Sequence, residues 1–193
     1  STFTMNHMLE EYRSALSANY EQAAIHISSS VENMLTVYDS ASKSAYQYNF
    51  GIQNGPADYS SSYNNLRQIL TGEIYEPEGR DFQREMDMRL FLQNVENMDG
   101  YIFAVHFASD NEETGELFFH FSHRNTFFKD KGLFLEYMDY ENWDRDSKSL
   151  ILLPAHKTDY YNGLIRDVFT VARNYYDLRG VVGKEKYVGT LFL

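Results

Sequence analysis

The chain has 193 residues, 43% hydrophobic and 16% aromatic, which is enough for one domain with a proper core and too apolar for a disordered segment. Its formal charge of −11 excludes ordinary DNA or RNA recognition, which needs basic surface, and disfavours docking to anionic lipid. There is no cysteine, so thiol catalysis is excluded, and an exported protein that does without disulfides is as compatible as a cytosolic one.

From Met5 onward, apolar, aromatic or small residues recur in steps of three and four: Leu9, Tyr12, Leu16, Tyr20, Ala23, Ile27, Val31, Met34, Tyr38, Ala41, Ala45 and Tyr48. No proline interrupts them, so residues 1–50 are predicted to form one amphipathic helix, on the order of 65 Å long at 1.5 Å per residue. A helix longer than its own domain needs is expected to act as a connector. Asn54-Gly55-Pro56 stops it. A short helix follows over 58–70, with Tyr59, Tyr63, Leu66 and Leu70 on one side. A third is predicted from Pro77 to Asn97, with Phe82, Met86 and Leu90 as its inward stripe and Gly100 closing it.

The period then switches to two. Residues 101–108 read as a strand, Asp110-Asn-Glu-Glu-Thr-Gly115 as a polar turn and 116–122 as its antiparallel mate. Residues 124–147 form an aromatic and acidic crossover of short helices and loops. Leu150 to Leu153 reads as a buried strand stopped by Pro154, and 168–176 and 187–193 supply the last two strands. Helices first and antiparallel strands after predict an α+β domain: a central sheet of about five strands with helices on one side. The parts of this single domain are a connector (1–50), helices (51–99) and a sheet with its crossover (100–193).

Four stretches together resemble the extracytoplasmic Cache (PAS-like) sensor domains of bacterial membrane receptors, most nearly those of sensor histidine kinases. They are the long leading helix, the segment Gly100-Tyr-Ile-Phe-Ala-Val-His-Phe107, the strand Asp167-Val-Phe-Thr-Val-Ala-Arg-Asn-Tyr-Tyr-Asp177 and the closing Val188-Gly-Thr-Leu-Phe-Leu193. The resemblance implies a ligand-sensing ectodomain of a two-component signal-transduction receptor. Contact with the membrane would then come only through segments flanking these residues. It implies no catalysis and no cofactor in this chain. The crossover Tyr137-Met-Asp-Tyr140-Glu-Asn-Trp143-Asp-Arg145-Asp146 lacks the Tyr and Arg-x-Trp-Tyr spacing of the amino-acid receptors, so an amino-acid ligand is not carried over; the family's frequent setting beside carbohydrate uptake points weakly to sugars.

Residue by residue, no phosphate-binding glycine loop, nucleophile elbow or His-Glu-x-x-His occurs, and no active site is expected. Glu112-Glu113 and the pair Asp144 and Asp146 fall in polar segments, where solvated surface is the ordinary reading of paired acids. A hairpin turning near Glu113 would put His106 and His120 on one face of neighbouring strands, but without a fixed carboxylate beside them no metal is expected. The candidate ligand site is the crossover with the strand behind it: Tyr140, Trp143, Arg145 and Asp159, with Arg173, Tyr175 and Asp177. Aromatic faces beside charged tips suit a small polar molecule such as a sugar, organic acid or amino acid. The same aromatics read equally well as core beneath a long loop. Arg173 shares a strand face with apolar Phe169, Val171 and Tyr175, so it needs an acceptor, either a ligand or an internal acid such as Asp177 or Asp159. Two copies pairing along the long helix to form a homodimer is a further option. The competing expectation is a secreted or surface adhesion module with a protein partner and the helix as its stalk or coiled-coil arm.

Overall fold

In the computed structural model the chain is described over residues 2–44, 65–124, 127–178 and 181–193, and it divides into two compact units, Ser1–Tyr38 and Asp39–Leu193. The first unit is helix alone. It belongs to α1, Thr2–Lys43, whose 42 residues rise about 63 Å. The predicted continuation through Ala45 and Tyr48, the Asn54-Gly55-Pro56 stop and the Tyr59 and Tyr63 part of the second helix lie outside the described residues.

Among the described residues the second unit contains the last turn of α1, three further helices, of which α2 (Asn65–Thr71) and α3 (Arg80–Glu96) come first, and a five-stranded antiparallel sheet. Its strands are β1 (Val105–Asn111), β2 (Gly115–Phe121), β3 (Ile151–Lys157), β4 (Asp167–Asp177) and β5 (Lys186–Phe192), in the spatial order β2-β1-β5-β4-β3. An α+β fold with a leading helix and a five-stranded antiparallel sheet is therefore what the sequence pattern predicts and what the chain forms. The β1–β2 hairpin turns because Asn111 Oδ1 accepts the backbone N–H groups of Glu113 and Thr114 and Gly115 takes φ +67°, a value glycine adopts freely.

Alternation along β1 sorts the sheet into two faces. Phe107 and its cross-strand neighbours Phe119 and Leu191 face the helices, and Arg89 of α3 lies over the Phe121 ring of the same side. His106, Ala108, Phe192 and Ala172 face the crossover, which contributes α4 (Lys131–Tyr137) and a 3-10 turn (Tyr140–Asn142). Phe134, Met138, Trp143, Tyr160 and Tyr161 close the core on that side. Asp130 caps α4 by accepting the Leu133 N–H at 2.9 Å.

Two expectations are corrected. The inward stripe of α3 is Met88, Phe91, Leu92 and Val95, all fully buried, whereas Phe82, Met86 and Leu90 face solvent. The helix carries two apolar rows at helical spacing, and only the position of the sheet chooses between them. Pro154 does not stop β3: the strand runs on to Lys157 through an irregularity between Leu153 and His156, and it is half exposed. As an edge strand it can lack one backbone donor without losing a ladder bond.

Candidate functional site

The hairpin end of the sheet and the crossover leave a groove of about 720 Å³ between them. Ala108, Asp110, Glu116 and Phe118 of β1 and β2 form one wall. Leu135, Glu136, Asp139 and Tyr140 form the other, and Arg145 lies at the end. Five carboxylates (Asp110, Glu116, Glu136, Asp139, Glu141) face two cations (Lys131, Arg145), so the groove is net acidic. Asp139 holds φ 50°, the left-handed backbone that Asn and Asp tolerate best, and its Oδ1 accepts from the Asn142 side chain at 2.8 Å.

Arg145 is the most constrained side chain here. Its guanidinium grips Asp110 through two bonds, one of them Nε to Oδ1 at 3.1 Å, and gives a third to the Trp143 carbonyl at 3.0 Å. It lies over the rings of Tyr140 and Tyr187, with centroids at 5.1 and 5.7 Å. Burial raises the Tyr140 phenol above its ordinary pKa, so it stays neutral and available for hydrogen bonding; its oxygen lies 3.2 Å from that of Tyr187. Beyond the Arg145–Asp110 pair lies a second groove of about 660 Å³, whose lining includes Asn111, Asp177 and Tyr187.

Not all the predicted site residues meet. Tyr140 and Arg145 share the first groove, and Trp143 lies buried behind them, its indole N–H donating to Asn174 Oδ1 at 2.7 Å. Asp177 lines the second groove, 3.6 Å from Arg67. Asp159 is on the loop after β3, where it accepts the Tyr137 hydroxyl at 2.9 Å. Arg173 and Tyr175 point to the helix side of the sheet, and the Tyr175 ring lies 6.2 Å from that of Phe107. Asp110, Glu136 and Asp139 were missed by sequence reasoning. The alternation of β1 carries the signal for Asp110, two residues beyond Ala108 on the crossover face.

Arg173 does find an internal acid, but neither Asp177 nor Asp159. It pairs with Asp39 in the last turn of α1, donates through Nε to Ser42 Oγ at 2.7 Å and reaches the Lys148 carbonyl at 3.3 Å. Lys43 first, and Arg173 with it, hold the Asp39 carboxyl below its ordinary range although burial works the other way. Removing Arg173 strands Ser42 and the carbonyl without a donor. Arg173→Ala is expected to destabilise the protein by about 2 kcal/mol, less than a fully buried pair would cost because Asp39 is 39% exposed. An unchanged urea midpoint would show that these bonds contribute nothing net.

His106 and His120 are directly opposed across the hairpin, as the turn position predicts. They are spent on packing: the His106 ring stacks 4.1 Å from Phe134, its Nε2 shares a 2.9 Å hydrogen bond with the Tyr161 hydroxyl, and His120 stacks 4.6 Å from Phe128. Among the described residues no group of three or more His, Asp or Glu could hold a metal ion, and no helix is long and apolar enough to cross a membrane. No family model, no curated protein and no solved structure matches this chain.

Proposed function

We propose that this chain is the ligand-sensing, extracytoplasmic module of a membrane signal-transduction receptor, of the Cache (PAS-like) kind and most akin to those of sensor histidine kinases. The observation that carries the reading is the groove between the hairpin and the crossover: large enough for a small polar molecule, walled by Tyr140 and Leu135, and ringed by charged tips. Its acidic balance favours a ligand that is cationic or donates through hydroxyls, an amino compound or a sugar, over an organic acid.

The groove also has a continuous polar route to the last turn of α1. Arg145 reaches into the groove with its side chain, while its own carbonyl accepts the Tyr176 hydroxyl at 2.5 Å. Tyr176 holds the Ser147 carbonyl as well, at 2.8 Å, and the next carbonyl, Lys148, is held by Arg173. Arg173 in turn binds Asp39 and Ser42. A ligand that displaces Asp110 from Arg145 would release loop 143–148 and change what Arg173 holds at the helix. Such a ligand acts only by binding the two arrangements with different affinity.

Thermal melts of the whole chain against sugars, amino compounds and organic acids test this. One chemical class should raise the melting temperature in a concentration-dependent way, by about 2.7 kcal/mol of added stability at a hundred times its dissociation constant. Glu136 is exposed on the groove wall, so Glu136→Lys should leave the unliganded melt unchanged and remove that rise. A library in which nothing moves the melt, or a rise that Glu136→Lys leaves intact, would remove the groove from the argument.

A further inference from the structure

The two margins of the sheet are built differently. β3 carries Pro154, a break in register and Lys157, three devices that discourage another chain from pairing. β2 reads Gly-Glu-Leu-Phe-Phe-His-Phe, with no proline, no lysine and no break in its ladder with β1. It is the outermost strand, and among the described residues no backbone hydrogen bond to another backbone group reaches 116–121 except those of the hairpin. Every second residue there turns its N–H and C=O away from β1, along an edge of roughly 23 Å.

That open edge is also a wall of the acidic groove. Glu116 and Phe118 line it from β2, and Leu135 and Glu136 line it from α4, so a helix faces the outermost strand. A strand edge beside a helix suits an extended peptide that joins the sheet: main-chain bonds supply the affinity and alternate side chains the choice. The register of β2 says what those side chains must be. Glu116, Phe118 and His120 stand opposite Asp110, Ala108 and His106 and so project to the crossover side, where Glu136 and Asp139 add negative charge. A lysine or arginine there lays its stem along Phe118 and Leu135 and brings its head to the carboxylates. Leu117, Phe119 and Phe121 alternate to the helix side, where an added strand meets apolar neighbours. A sugar or a free amine would use the carboxylates and leave the edge unpaired.

We propose that the groove takes an extended peptide segment of alternating cationic and apolar residues, which adds to the sheet beside β2. Its cationic side chains turn toward α4 and its apolar ones toward the helix side. This names the ligand class of the site proposed above and rests on the groove being a binding site.

Isothermal calorimetry of the whole chain with acetyl-Lys-Val-Lys-Val-Lys-Val-amide tests it, since six extended residues span about 20 Å and match the edge. This peptide should bind. Its block isomer acetyl-Lys-Lys-Lys-Val-Val-Val-amide and its Glu-for-Lys counterpart should bind about tenfold more weakly or worse. Methylating the three Val nitrogens and methylating the three Lys nitrogens should give opposite results: the set whose N–H groups face β2 loses binding, and the other keeps it. Glu116 is exposed, so Glu116→Lys should leave the unliganded melt unchanged and weaken the alternating peptide about tenfold. Equal behaviour of the two methylated peptides, equal binding of the block isomer, or affinity indifferent to Glu116→Lys overturns the strand addition. A peptide that fails to bind while lysine amide or a sugar raises the melting temperature also overturns it, yet leaves the groove a site; a groove that takes nothing loses both readings.

Discussion

Gly189→Ala is expected to cost about 3 kcal/mol or more, from overpacking at a site that cannot relax. Gly189 lies in β5, between β1 and β4 and opposite Tyr175. A methyl built there would meet the Phe107 ring at 2.5 Å and the Ala108 carbonyl oxygen at 2.8 Å. Phe107 is fully buried, and the carbonyl belongs to the neighbouring strand, so neither can step aside without moving the sheet. The requirement for glycine here is space, not backbone freedom. In a unit of this size the melting temperature should fall by roughly 10 °C. Adding Phe107→Leu should recover part of the loss, because the two changes share one clash. If Gly189→Ala melts within a degree of the parent chain, the packing between β1 and β5 is looser than described.

Acid should loosen the crossover well before the carboxylates titrate. Burial holds the His106 imidazole well below its ordinary pKa, and the neighbouring His120 and His156 push in the same direction; burial also lowers those two. An unfolded histidine takes up a proton near pH 6.5, and the folded His106 does not. The unfolded chain therefore binds more protons, and stability that is complete above about pH 6.5 is lost as pH falls below it. The slope is about 1.4 kcal/mol per pH unit for each imidazole that titrates only when unfolded. Glu96 works the other way, since burial raises its carboxyl, but only nearer the carboxylate range. Urea midpoints at pH 7.5 and 5.5 should differ clearly, and His106→Phe should flatten the dependence. Equal midpoints in the parent chain would mean that His106 is protonated inside the fold.

Local rules made the sheet legible. Period-two alternation located four of the five strands to within a few residues, and Asp110-Asn-Glu-Glu-Thr-Gly115 placed the turn, so His106 and His120 came out opposed. What stayed hidden was everything decided by distant residues. Phe82 and Phe91 satisfy the same helical period, and only the sheet beneath α3 tells them apart. Arg173 demands an acid in any reading, but Asp39 lies 134 residues earlier, and nothing in the strand points to it. The groove was legible through Tyr140 and Arg145, whereas its acidic wall needed the register of the hairpin against α4.

Pro154 has a consequence beyond its own strand. Among the described residues the sheet ends at β3, and the edge of a sheet is an open template on which another chain could grow a sixth strand and then a fibril. A missing N–H in the middle of that edge, with the break in register beside it, leaves an incoming strand no regular ladder to follow. An edge interrupted in this way resists growth of the sheet through its margin.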